Sequence, residues 1–203
     1  MTHPSWDQSY AGGARPPWDI GRPQPAFLRL ADQGLLAGRV LDAGCGTGEH
    51  TLLAASQGAD ALGVDISPLA IERARGKAAA RGIKARFEVA DALNLAGLGL
   101  TWDTIIDSGL FHVFGDEGRA RYVQSLASVL RPGGTCYLMC FSDRQPGTLG
   151  PRRVSQDELR AAFRDGWSVT ITADAFEVNP ATFGTATAQA WLVTLGRIAQ
   201  ARD

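Results

Sequence analysis

Four aspartates and one histidine carry most of the chemistry this sequence can do. Asp42 lies in "RVLDAGCGTGEHT", Asp65 in "GVDIS", Asp91 in "VADAL", and Asp107 opens "DSGLFHVF", which also holds His112. Each acid closes or directly follows an apolar run that reads as a strand. Ligands of open α/β sheets bind at the carboxyl ends of strands, so the four acids are candidates for one site. Behind Asp42, Gly44, Gly46 and Gly48 occupy alternate positions, which lets the backbone turn tightly and lets a ligand come close to it. A dinucleotide fingerprint needs a further glycine where Glu49 stands, and a phosphate-cradling loop needs a lysine that is absent. A carboxylate at Asp42 repels a pyrophosphate and suits an amine or another cation. The expected visitor is a nucleoside carrying positive charge. Asp65 can accept from both ribose hydroxyls, and Asp91 or its neighbouring backbone can read an adenine amino group.

The elements that must hold these groups alternate. "FLRLADQGLL" has helical spacing, "RVLDAG" is a strand, and "EHTLLAASQG" is a helix stopping at Gly58. "DALGVD" is a second strand, followed by a helix with Ser67 as N-cap and Pro68 in its first turn. "ARFEVAD" and "WDTIIDSG" are strands; "DEGRARYVQSLASVL" is a helix ended by "RPGG", and "TCYLMCF" is a fifth strand. "SQDELRAAF" predicts a helix with a Ser155–Glu158 capping box. "WSVTITADAFEV" and "ATAQAWLVTLGRI" alternate and read as an antiparallel pair joined across "NPATFG". Strands alternating with helices predict a doubly wound, mostly parallel α/β sheet covered on both faces. Residues 1–24 are rich in Gly, Pro and Trp and show no regular element.

Bulk properties narrow the class. With 203 residues and no linker-like tract, one domain is expected: a lid and first helix over 1–36, a ligand-binding half over 37–142, and late strands with substrate-side loops over 143–203. A net charge of -1 gives no electrostatic footprint for nucleic acid or an anionic membrane. No apolar run reaches membrane-spanning length, and "MTHPSWDQSY" does not read as a secretory signal. Cys45, Cys136 and Cys140 form no Cys-x-x-Cys pair, so neither a metal site nor a disulfide framework is expected and the cytoplasm is the natural compartment.

Taken together, "VLDAGCGTG", "GVDIS", "VADAL" and "LRPGG" resemble, in order and spacing, the motif series of class I S-adenosylmethionine-dependent methyltransferases over about residues 36–142. The resemblance implies a Rossmann-like seven-stranded sheet with an antiparallel last strand. It assigns Gly44 to Gly48, with Cys45 as a small space-filler, to the methionine part of the cofactor, Asp65 and Ile66 to the ribose, and Asp91 and Ala92 to the adenine. Asp107 and Ser108 would lie beside the sulfonium, with Phe111 and His112 beginning the acceptor wall. His112 is the candidate general base. Asp107 is the alternative base or a group that orients the cofactor's amine, and a plainly packed histidine is the competing account of His112.

"PPWDIGRP" resembles the N-terminal motif of a branch that includes thiol, halide and thiopurine methyltransferases and enzymes that methylate heterocyclic toxins. That likeness lays Trp18 over the cofactor. Trp6 and Tyr10, with Phe183 from the late loop, are expected to line a pocket for a small aromatic or heteroaromatic substrate. Transfer from a sulfonium is an in-line displacement in which positioning does much of the work, and a base is needed only when the acceptor arrives protonated. The expected reaction is methylation of a hydroxyl, with thiol, ring nitrogen and halide as alternative acceptors. A non-catalytic S-adenosylmethionine-binding module and a nicotinamide-dependent oxidoreductase are competing readings.

Overall fold

The computed structural model describes residues 4–12 and 15–199. Its centre is one seven-stranded sheet of order β3-β2-β1-β4-β5-β7-β6. The strands are β1 (Arg39–Ala43), β2 (Asp60–Asp65), β3 (Arg86–Val89), β4 (Trp102–Ser108), β5 (Leu130–Phe141), β6 (Trp167–Glu177) and β7 (Thr187–Arg197). β1 to β5 run parallel, and β7 inserts antiparallel between β5 and β6. The direction of chain growth reverses at β1, so the ends of β1 and β4 open a crevice there, the position favoured for ligands in such sheets.

The helices are α1 (Pro4–Ala11), α2 (Pro25–Asp32), α3 (Glu49–Ser56), α4 (Pro68–Arg81), α5 (Asp116–Val129), α6 (Gln156–Ala162) and α7 (Pro180–Phe183). α4 starts as its sequence requires: Ser67 Oγ accepts from Ala70 N at 3.2 Å, Pro68 stands in the first turn, and left-handed Gly82 closes it. α6 carries the complete Ser155–Glu158 capping box. Trp102, Ile105, Tyr122, Leu138 and Trp191 belong to the larger core cluster, beneath α5 and α6. Cys136 and Cys140 share that core from β5, and all three cysteines are free and buried.

Three features differ from the sequence expectation. α1 is helical where no regular element was expected; its hydrophobic periodicity is weak because it docks by polar contacts. Asp7 accepts from Ser67 Oγ and from Leu69 N at 3.4 Å, and the Arg73 guanidinium donates to the Tyr10 carbonyl. β5 begins at Leu130 instead of Thr135, because Leu130 already pairs with Trp102 before the register shifts around the Pro-Gly-Gly bend. The β6–β7 connection folds into α7, started by Asn179, whose side chain accepts from Ala181 N at 3.1 Å.

Candidate active site

A cavity of about 1010 Å³ lies over the carboxyl ends of the strands and beneath the N-terminal segment. Its floor at β1 is the glycine loop. Gly46 has φ +53°, and a side chain there would point at the Tyr10 hydroxyl, 3.1 Å from the Cβ position. The Gly46 N–H donates to Asp65 Oδ2 at 2.9 Å, and Ser67 N–H donates to Asp65 Oδ1 at 2.9 Å. These bonds fix both carboxylate oxygens and leave each a lone pair for a sugar hydroxyl. Burial raises the Asp65 pKa; the amides of Ser67 and Gly46 oppose that.

Asp91 follows β3. Its Oδ1 accepts from Leu93 N at 2.9 Å, and Ala92 and Ile66 join it on the cavity wall. Cys45 and Ser108 also line the cavity. The Cys45 thiol is pushed well up, chiefly by burial, which suits a space-filler and not a nucleophile.

The N-terminal aromatics close this half. Trp18 Nε1 donates to Tyr10 Oη at 3.0 Å, and Trp6 packs edge-on against Trp18 with ring centres 5.6 Å apart. Tyr10 is buried against the glycine loop. Tyr10 and Trp6 both line the cavity, beside the glycine loop and Trp18. Asp19 joins them from the same segment, accepting from Thr47 Oγ1 at 2.9 Å.

Four expected site residues stand behind the wall. Asp42 is 1% exposed and does not line the cavity; its Oδ2 accepts from Thr51 N at 2.9 Å and Thr51 Oγ1 at 2.7 Å. It clamps the first turn of α3, and burial pushes its pKa up to about 7. Gly48 has φ +86°, and a Cβ there would lie 2.7 Å from Phe87 and 2.9 Å from Ala74, so this glycine serves helix–sheet packing, not ligand approach. Asp107 is fully buried, with Oδ1 accepting from Leu110 N at 2.7 Å and Oδ2 from Phe111 N at 3.1 Å. Desolvation pushes it up to about 7. It shapes the bend after β4 and does not line the cavity. Phe111 is also fully buried, packed on Phe163 at 5.6 Å beneath the Arg119 guanidinium.

His112 does reach the cavity. Its Nδ1 accepts the Phe141 backbone N–H at 2.9 Å, so the neutral ring carries its proton on Nε2. Burial, then the Arg119 and Arg153 charges, push its pKa down to about 3, with partial opposition from the Gly109 backbone. In this tautomer Nδ1 is occupied by the Phe141 amide and Nε2 is a donor. Phe141, Phe176 and Phe183 complete an aromatic wall, with ring centres 5.5 Å and 5.7 Å from Phe141. Phe141 escaped sequence reading, although its place at the carboxyl end of a central strand was a usable signal.

The glycine cradle, the braced Asp65 and the acids Asp19 and Asp91 on the same half of the cavity fit a cationic nucleoside, while Glu49 there is paired with Lys77 and Arg81.

Residues 40–134 match a family model described as a methyltransferase domain. A 2-heptyl-1-hydroxyquinolin-4(1H)-one methyltransferase of Mycobacteroides abscessus is 42% identical over 173 residues, covering 81% of this chain and 76% of that protein. A probable thiol methyltransferase of Arabidopsis thaliana is 32% identical over 160 residues, covering 75% of this chain and 68% of that protein. Among solved structures, one from work on conversion of a disulfide bond into a thioacetal group during echinomycin biosynthesis aligns with TM-score 0.86 at 39% identity, over 96% of this chain and 92% of that one.

Proposed function

The chain belongs to the class I S-adenosylmethionine-dependent methyltransferases, and we propose that it methylates a hydroxyl oxygen of a small aromatic or heteroaromatic compound. One observation carries this reading: the glycine cradle and an aromatic wall of Phe141, Phe176 and Phe183 share one cavity. A cavity of about 1010 Å³ has room for a cofactor and a bicyclic acceptor together, which favours an enzyme over a binding module. The similarity to a hydroxyquinolone methyltransferase supports a flat heterocycle as acceptor.

S-adenosylmethionine is the cofactor, and when bound it supplies an electrophilic methyl group on a positively charged sulfur. The residues that would hold it are Gly44, Gly46, Asp65 and Asp91, under Trp18 and Tyr10. Asp65 grips hydroxyls in the direction set by Gly46 and Ser67. Asp91 and Ala92 meet the base. Leu110, held by its amide on Asp107, presents its side chain to Gly44 and joins Ser108 on the wall between the two halves. His112 and the phenylalanines orient the acceptor, and the Trp6–Trp18–Tyr10 cluster excludes water. Rate then comes mainly from alignment of acceptor and methyl group in a dry site. We place the enzyme in the reducing cytoplasm, supported by three free buried thiols; among the described residues no helix is long and apolar enough to cross a membrane.

The test is transfer of a labelled methyl group from S-adenosylmethionine to a panel of N-hydroxyquinolones, phenols, thiols and ring nitrogens, read by mass spectrometry. Methylated hydroxyl products are expected. Transfer confined to thiols or ring nitrogens overturns the oxygen assignment.

A further inference from the structure

The cavity is divided by charge along the sheet. Its carboxylates, Asp19, Glu49, Asp65 and Asp91, come from the N-terminal segment and from the ends of β1, β2 and β3. The wall supplied by the ends of β4, β5 and β6 and their loops carries no carboxylate among the described lining residues. Asp107 lies behind that wall with each oxygen on a backbone amide. His112 has spent Nδ1 on the Phe141 amide. Tyr10 is on the other half, hydrogen-bonded to Trp18, and burial raises its hydroxyl pKa further. No group on the acceptor half is therefore placed to take a proton.

Arginines stand at that end instead: Arg121 and Arg152 line the cavity, Arg152 paired with Asp116 and Glu158, and two more lie outside the lining. The Arg153 guanidinium lies 5.5 Å over the Phe141 ring. It donates to the carbonyls of Gln145, Gly147, Leu149 and Pro151, all neutral acceptors. Arg119 on α5 approaches from below and shares Glu158 with Arg152. The groups that act on His112 are thus the Gly109 backbone beside Nε2, Arg119 of α5 and Arg153 behind β5.

We propose that this enzyme takes its acceptor as an oxyanion and that His112, as a neutral Nε2–H donor, holds the anionic oxygen in the aromatic pocket. The proposal rests on the hydroxyl reading of the site and narrows it to acceptors acidic enough to be ionised on binding: N-hydroxy heterocycles, enol-like oxygens and activated phenols. The acceptor oxygen gives an electron pair to the methyl carbon while the carbon–sulfur pair returns to sulfur, so no proton has to move to the protein. Like an oxyanion-hole donor, the imidazole N–H works by being fixed in advance, here by the Phe141 amide.

The experiment uses the wild-type protein saturated with S-adenosylhomocysteine and 4-nitrophenol as a chromogenic probe. A pH titration of the bound phenol is expected to show the nitrophenolate band at a lower pH than free in solution. An unchanged or raised midpoint, or no binding, overturns the proposal. With active cofactor, the acidic limb of the pH–rate profile should move with the acceptor's own acidity across two phenols; a limb fixed at one pH for both overturns it. His112→Phe should lose about 100-fold in kcat/KM. His112→Gln, which keeps a donor and an acceptor toward Phe141 but no titratable ring, should restore most of that loss. A glutamine variant as inactive as the phenylalanine one would make His112 a base. If only thiols are methylated, the hydroxyl reading fails by itself, whereas the nitrophenol titration reports on ionisation without any transfer.

Discussion

Gly46 donates its backbone N–H to Asp65 Oδ2 at 2.9 Å, so the loop after β1 and the carboxylate that ends β2 form one rigid unit. The ligand-facing geometry of each depends on the other. Asp65→Ala removes the brace and the sugar acceptor together. S-adenosylhomocysteine binding measured by calorimetry is expected to weaken by about 100-fold, the loss of two charge-assisted hydrogen bonds at about 1.5 kcal/mol each. Asp65→Asn keeps the shape but offers one acceptor and one donor, and should fall between the two.

Trp18 and Tyr10 test the lid. Tyr10→Phe leaves the Trp18 indole N–H without its 3.0 Å partner. A lost hydrogen bond of about 1 kcal/mol predicts roughly fivefold weaker cofactor binding. Trp18→Ala also strips the edge-on contacts with Trp6 and Tyr10, whose centroids lie 5.6 Å and 6.2 Å away, and should weaken binding by about tenfold or more. Equal affinity in both variants would show that the N-terminal aromatics only cover the sheet end.

Much of the fold was legible because local chemistry and burial agree in it. Most parallel strands hold an apolar run, and Ser67 and the Ser155–Glu158 box fix helix starts by hydrogen bonds that sequence spacing reveals. α1 was not legible, since its docking depends on Asp7 and Arg73 meeting partners more than fifty residues away in sequence. The site was legible to the level of strand ends and no further. Asp65 is the last residue of β2 and faces the cavity, whereas Asp42, one residue short of the end of β1, turns under the loop to Thr51. Strand alternation tells faces of the sheet apart, but near a strand's end the partner that holds the carboxylate, Thr51 for Asp42 and the Gly46 and Ser67 amides for Asp65, comes from the following turn or loop. His112 shows the same limit: its residue type suggested a base, whereas the partner of its Nδ1 is an amide on a different strand.

Gly48 separates packing from binding. Ala at this position meets Phe87 at 2.7 Å and must adopt φ +86°, a conformation that costs side chains about 1–2 kcal/mol before any clash. Overpacking adds about 1–3 kcal/mol. Gly48→Ala is expected to lower Tm by about 5–15 °C, at about 2–4 °C per kcal/mol for a chain of this size. The folded fraction should still bind S-adenosylhomocysteine, because the residue does not line the cavity. A variant of normal Tm that has lost binding would return Gly48 to the ligand.

Buried ionisable groups of opposite kind set the pH dependence of stability. His50 accepts the Gln24 N–H on Nε2 at 3.0 Å and is held neutral by burial, with its pKa pushed from 6.5 down to about 4. A depressed pKa in the folded state means that its contribution is complete above pH 6.5 and is lost as pH falls toward 4, because the unfolded chain takes the proton first. Asp42 behaves oppositely. Its pKa rises from 3.8 to about 7, so its contribution is complete below pH 3.8 and is lost as pH climbs through 7. Between those limits the two largely cancel, and a shallow pH–stability curve is expected for the wild type. His50→Gln keeps an acceptor for Gln24 and removes the titration. The stability advantage of wild type over this variant should shrink by about 1–2 kcal/mol between pH 7.5 and pH 5, at about 1.4 kcal/mol per pH unit below the unfolded pKa, and its Tm advantage with it. Asp42→Asn keeps an acceptor for Thr51 and removes the opposite term, so its Tm relative to wild type should rise over the same span from pH 5 to pH 7.5. Thermal melts of the three proteins across that range decide the matter: two variants shifting in the same direction would mean that one of these side chains is charged in the folded state.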